Sequence, residues 1–137
     1  MALNAVIHTN KRKIDAEKFF TGMFETALKS GELVEAVEFQ IPEKADYQKH
    51  TNPASRYAII GVFVAKHKKD VNVAVTGAKS CVYIDKDLSK KLSSSFSVSA
   101  IEGTDVKSSG MNSDMHASAE YRANLVSLYA KKAVEAC

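Results

Sequence analysis

The 137-residue sequence has no tryptophan, two prolines, two cysteines and six glycines, and each shortage excludes something. Cys81 and Cys137 are too few for a disulfide scaffold, and a bridge to the last residue would constrain little. That points to a reducing compartment and a cytoplasmic chain. The scattered glycines, Gly22, Gly31, Gly61, Gly77, Gly103 and Gly110, form no GxGxxG or P-loop cradle for a phosphate. Arginine occurs only at Arg12, Arg56 and Arg122, and a formal net charge of +3 is too small an excess for a nucleic-acid partner. The densest basic run, Lys66-His67-Lys68-Lys69, ends in Asp70-Val71 like a solvated turn. No membrane partner is expected, because the longest apolar stretch, Tyr57 to Ala65, is far short of the ~20 residues a membrane helix needs. The opening Met1-Ala2-Leu3-Asn4-Ala5 lacks the basic flank and apolar run of a signal peptide.

What is present is ordinary globular composition, 45% hydrophobic and 26% charged. A chain of this length buries roughly two thirds of its unfolded surface and needs no staple. Residues Leu3 to Ile7 make a short apolar run, and Ile14 to Phe20 reads as a brief helix capped by Asp15 and ended by Gly22. Leu33 to Ile41 places Leu33 or Val34, Val37, Phe39 and Ile41 mostly two apart, as a half-buried strand requires, and Pro42 closes it. Tyr47 to Thr51 is a short candidate strand before the Asn52-Pro53 turn. Tyr57 to Ala65, rich in β-branched residues, predicts a strand buried on both faces, and Val71 to Thr76 alternates, so the two form a hairpin. Cys81 to Ile84 extends that sheet.

Leu88 and Leu92, four apart, predict a helix over Asp85 to Phe96, and the stretch on to Asn112 reads as loop. From Ser113 the spacing of Ala117, Tyr121, Leu125, Leu128 and Val134 predicts a helix of about six turns, capped by Ser113 or Asp114. The expected fold is therefore α+β, an antiparallel sheet packed against helices.

Chemistry-bearing residues are sparse. The histidines His8, His50, His67 and His116 fall in separate segments without carboxylate or cysteine at ligand spacing, so no metal site is expected. His116 and Glu120, four apart, resemble an acid–base pair only superficially, since no nucleophile accompanies them; a helix-end histidine beside a solvated glutamate is the simpler reading.

Several segments, in this order and spacing, carry a resemblance: Phe39-Gln40-Ile41-Pro42; Tyr47-Gln48-Lys49; Asn52-Pro53-Ala54-Ser55-Arg56-Tyr57-Ala58-Ile59-Ile60-Gly61-Val62; Val73-Ala74-Val75-Thr76-Gly77-Ala78; and Met111-Asn112-Ser113-Asp114-Met115-His116-Ala117-Ser118-Ala119-Glu120-Tyr121-Arg122-Ala123. Together they resemble the C-terminal domain of the FAD-binding medium subunit of the carbon monoxide dehydrogenase and xanthine dehydrogenase family of molybdenum hydroxylases. The likeness implies residues 35–137 as that flavoprotein domain. Residues 1–34, with Lys11-Arg12-Lys13-Ile14 and Phe19-Phe20-Thr21-Gly22, resemble the tail of the preceding FAD-binding region. As the severed end of another domain, that tail is expected to pack less well than the rest.

The resemblance also implies a role. Such a domain encloses one side of an FAD that passes electrons from iron–sulfur clusters to an acceptor, as part of an oxidoreductase and without being catalytic alone. Its partners are a molybdenum-binding large subunit, an iron–sulfur small subunit and the upstream FAD-binding domain. Val34 matches an aliphatic position that touches the cofactor, Lys49 the lysine of the Tyr-x-Lys segment near the ring, and Tyr57 an aromatic position beside the ring; Tyr47 is a further candidate. Each also has a plain structural use: Val34 as core, Tyr57 as cover for a strand end, Lys49 as an edge charge against mispairing. The family's glycine-rich pyrophosphate loops are missing, so the expectation is a fragment that binds FAD weakly or not at all by itself. The competing reading is a stand-alone protein-interaction module that binds no flavin and whose exposed apolar surface favours self-association.

Overall fold

The structure is a computed structural model that describes residues 1–137. Two antiparallel sheets and a small hairpin follow one another along the chain. β1 (Val6–Thr9) pairs with β2 (Lys13–Asp15) on one side and β5 (Val34–Glu38) on the other, giving the order β2-β1-β5. Between them lie the single turn α1 (Ala16–Phe19) and the hairpin β3 (Phe20–Gly22) with β4 (Glu25–Thr26). The second sheet runs β6 (Lys44–Thr51), β7 (Ala58–Lys66), β8 (Val71–Thr76), β9 (Tyr83–Ile84), all antiparallel. Three helices, α2 (Lys86–Ser94), α3 (Val98–Ile101) and α4 (Ala119–Ala136), complete the chain. The expected α+β architecture, with the hairpin of β7 and β8 at its centre, is the one observed.

Period-two alternation aims Ile60, Val62 and Val64 of β7 and Val71, Val73 and Val75 of β8 at the helices, where they meet Leu88, Leu92, Ile101, Leu125 and Val126 in one core. Fully burying a Val or Leu side chain is worth about 1.5–3 kcal/mol, so this layer dominates stability. Ala130 and Ala133 let α4 lie close on the sheet. β9 covers only Ala74 and Val75, and the uncovered edge of β8 is closed by α2. The Val71 and Val73 N–H groups donate to Ser93 Oγ and Ser89 Oγ at 2.8 and 3.0 Å, while Asp85 caps the helix by accepting from Leu88 N–H at 3.0 Å.

The structure corrects five expectations. The strand over Leu33–Ile41 shortens to β5, all five residues exposed, because β1 pairs with it on one edge and no layer of this chain covers its faces. The 93–112 stretch contains α3, capped by Ser97. The last helix starts at Ala119 with Ser118 as cap, five residues later than a cap at Ser113 and four later than one at Asp114 would have it; Asp114 instead organises the loop before it. Its buried stripe is Arg122, Ala123, Leu125, Val126, Ala130, Ala133 and Val134, whereas Tyr121 and Leu128 face outward. Asp15 precedes α1 without a side-chain cap bond and pairs with Lys18 instead.

The boundary at residue 34 falls where β5 begins, so the three-stranded sheet joins both sides of it. Residues Ile7, Ile14, Ala16 and Phe19 form a separate four-residue core, while Phe20 turns outward.

Candidate functional site

The face of the four-stranded sheet opposite the helices is only half covered. At one end Ala2 lies against Ala65 and Ala74. His67 Nε2 donates to Ala2 O at 3.0 Å, which fixes the ring proton on that nitrogen, and Asn72 Nδ2 donates to the same oxygen at 3.1 Å. The other end is open. There the register sets Tyr47 opposite Phe63 and Lys49 opposite Gly61, so Tyr47, Lys49 and Phe63 share this face. The rings of Tyr47 and Phe63 meet edge to face, centroids 6.2 Å apart. A Cβ on Gly61 would stand 2.8 Å from carbons of the Tyr47 ring, so glycine is what lets that ring lie across the strand.

Tyr57 follows the turn of residues 52–56 that joins β6 to β7, and its side chain is 80% exposed. The structure thus places Tyr47 and Lys49 on one face, Tyr57 at the end of the connection between their strand and its neighbour, and Val34 on the other sheet, opposite Thr9. Val34 is not a core residue: it is 45% exposed at the edge of that sheet.

Beside Tyr57 opens a cleft of about 300 Å³ whose walls include Asn52, Ser55, Asn112, Asp114, His116 and Arg122. Arg122, 4% exposed, points off α4 into the sheet and donates from Nη1 to Ile59 O at 2.6 Å and Gly77 O at 3.0 Å. Its Nη2 meets Asp114 Oδ2 at 2.7 Å. The Asp114 carboxyl is held below its usual range, first by the backbone N–H of His116 and further by that of Ala117 and by Arg122. Asn112 Nδ2 closes the same corner on Gly77 O and Lys79 O. Sequence reasoning left Arg122 and Asn112 unassigned; the available signal was an arginine three and four residues before Leu125 and Val126, on the stripe that α4 buries.

His116 and Glu120 form no acid–base pair. His116 Nδ1 faces Asn52 Nδ2 at 3.3 Å, and no contact joins it to Glu120. No group of three or more His, Cys, Asp or Glu converges as metal ligands, and no helix is long and apolar enough to cross a membrane.

No protein-family model and no curated protein matches the sequence. Solved structures do match. Quinoline 2-oxidoreductase from Pseudomonas putida 86 superimposes with a TM-score of 0.78 at 18% identity, over 98% of this chain and 52% of that one. A Cu,Mo-CO dehydrogenase in its cyanide-inactivated form gives 0.79 at 20% identity, over 98% and 52%. It has the fold of part of a carbon monoxide dehydrogenase chain. A third structure, the carbon monoxide dehydrogenase from Hydrogenophaga pseudoflava that lacks the Mo-pyranopterin moiety of the molybdenum cofactor, gives 0.70 at 18% identity, over 98% and 53%. This chain therefore spans about half the length of the chains it matches, and residues 1–34 lie almost wholly inside the shared fold.

Proposed function

We propose that this chain serves as the C-terminal domain of the flavoprotein subunit of a molybdenum hydroxylase, enclosing one side of an FAD that carries electrons from iron–sulfur clusters to an acceptor. The carrying observation is the open half of the sheet face, where the exposed Tyr47 ring stands edge to face against the half-buried Phe63, Gly61 lets that ring lie low across the strand, and Lys49 adds a single positive charge. The residues fit the group: a planar isoalloxazine suits a floor of ring edges, and a lysine suits the negative charge it gains on reduction. FAD bound there supplies one- and two-electron redox chemistry. Lys49 would offset charge and Tyr47 would exclude water, with Tyr57 from the end of the β6–β7 connection and Val34 from the other sheet as the further contacts the resemblance implies. The chain makes and breaks no substrate bond itself. In this reading its partners are the upstream FAD-binding region, the iron–sulfur subunit and the molybdenum subunit.

Most FAD affinity comes from donors around the pyrophosphate, and this chain has no glycine-rich loop to supply them. FAD titrated into the chain alone, followed by flavin fluorescence, is therefore expected to bind more weakly than about 1 μM, roughly −8 kcal/mol. The same chain joined to an upstream FAD-binding region of the neighbours' type should bind one FAD. Tight one-to-one binding by the chain alone, or none in the joined protein, would sink the reading.

One observation favours a second reading, a stand-alone interaction module. Leu33, Val34, Val37, Phe39 and Ile41 form an exposed apolar strip along and beyond β5. A strip of this kind marks an interaction surface, and in that reading it drives self-association without any flavin.

A further inference from the structure

The turn between β6 and β7 is tied down at both ends. Asn52 N–H donates to Tyr57 O at 2.8 Å, and Arg56 N–H donates to Asn52 O at 2.9 Å, with Arg56 held at φ +64°. Asn52 Oδ1 accepts from the backbone N–H groups of Ala54 and Ser55 at 2.9 and 3.3 Å. With its oxygen spent on the turn, the side-chain amide has one orientation, and its Nδ2 donates to His116 Nδ1 at 3.3 Å. A ring nitrogen that accepts a hydrogen bond carries no proton, so this contact is one that only the Nε2–H form of the His116 ring makes.

Behind His116 the contacts run into the core. Its backbone N–H donates to Asp114 Oδ1 at 2.9 Å, Asp114 is paired with Arg122, and Arg122 grips the carbonyls of Ile59 and Gly77. The charged and titratable groups that share the cleft with His116 are Asp114 from its own segment, Arg122 from α4 and Tyr57 from the turn; Asn52, Ser55, Ala58, Ile59, Gly77 and Asn112 make up the neutral remainder. Asp114 and Arg122 neutralise each other. Protonating His116 would put an N–H on Nδ1 facing the N–H of Asn52, donor against donor.

We propose that Asn52 and His116 are positioning residues for Tyr57: their contact, made only by the neutral imidazole, pins the turn that leads into the exposed ring, and protonation of His116 releases it. What the ring does once placed rests on the flavin reading above; its placement does not.

Backbone amide spectra of the isotope-labelled chain between pH 8 and 5, the range in which imidazoles change charge, test this without any flavin. The amides of Ala54, Ser55 and Arg56 should move along a single titration in the native chain. They should stay still in His116→Gln, whose side-chain oxygen accepts from Asn52 at every pH. The ring nitrogen shifts of His116 at pH 8 should report the Nε2–H tautomer. Turn amides that do not move, an identical titration in His116→Gln, or the Nδ1–H tautomer would each overturn the proposal. In the joined protein, FAD affinity should fall several-fold from pH 8 to 5 in the native sequence and less in His116→Gln. Equal loss in both, with the turn amides still titrating, would count against Tyr57 beside the flavin and leave the latch standing.

Discussion

Arg12 holds Glu32 with two nitrogens, Nε to Oε1 at 2.8 Å and Nη2 to Oε2 at 3.2 Å, across twenty residues of chain. Thr9 Oγ1 and the Lys29 N–H also donate to the carboxylate, whose side chain is almost wholly buried. This pair ties the loop after β4 to the β1–β2 hairpin and so sets where β5 begins.

The Glu32 carboxyl is drawn from an ordinary value near 4.5 down to about 2, first by Arg12 and then by the Lys29 N–H. A depressed folded-state value stabilises the native chain fully above 4.5, and that contribution disappears as the pH falls through about 2. The urea midpoint of the native chain should therefore fall between pH 5 and 2. Glu32→Gln should start lower at pH 7 and change less over the same interval, since the other acids titrate in both proteins. Parallel curves would show that Glu32 contributes nothing to acid sensitivity.

Arg122 and Gly77 act on one spot. Arg122→Met would leave the Ile59 and Gly77 carbonyls without this donor and Asp114 without its cation. Asp114 is 46% exposed and can hydrate, so the loss comes mainly from the buried carbonyls left without a donor, and a drop of about 1–3 kcal/mol in unfolding free energy is expected. Gly77 sits at φ +77°, and a Cβ there would lie 2.5 Å from Ile59 O, backbone that cannot swing aside. Gly77→Ala should thus cost more than about 1–2 kcal/mol, the penalty of the left-handed conformation alone. Denaturation curves coincident with the native chain's would refute both.

The face of α4 gives a third test. Leu125 is 5% exposed and Leu128 is 46% exposed. Leu125→Ala should cost about 2–5 kcal/mol, and Leu128→Ala should stay within about 0.5 kcal/mol. A reversed order in thermal or urea unfolding would mean that the helix is rotated from its described setting.

That helix also shows what the sequence could and could not display. Its extent was legible to within five residues at the start, because no Pro or Gly interrupts it. Its buried face was not, because alanines are neutral in a hydrophobic pattern and the larger Tyr121 and Leu128 pulled the expected stripe off Arg122, Val126, Ala130 and Ala133. β7 and β8 were legible to a residue or so, since β-branched alternation has one reading. Val37, Phe39 and Ile41 alternate too, yet alternation does not say whether the covering layer belongs to the same chain, and along β5 none does. At the site, the shared face of Tyr47 and Lys49 follows from strand periodicity alone. The Arg12–Glu32 clasp and the Asn52–His116 contact join residues 20 and 64 apart, beyond the reach of any local pattern.

The last prediction separates the two functional readings by which surface carries binding. If the open sheet face takes the flavin, then in the joined protein Lys49→Ala should weaken FAD binding or lower the flavin reduction potential, because an ammonium near the ring favours the more negative reduced form. Tyr57→Ala should alter flavin absorbance while leaving the fold intact, the side chain being 80% exposed and therefore nearly free of packing. Leu33→Ser with Ile41→Ser, both on the exposed apolar strip, should change neither the flavin spectrum nor its potential. If the chain is an interaction module, the pattern inverts: sedimentation of the chain alone should show association that the serine pair abolishes, and Lys49→Ala and Tyr57→Ala should leave it unchanged. Flavin properties untouched by both Lys49→Ala and Tyr57→Ala would remove this face from the cofactor site, whatever the strip does.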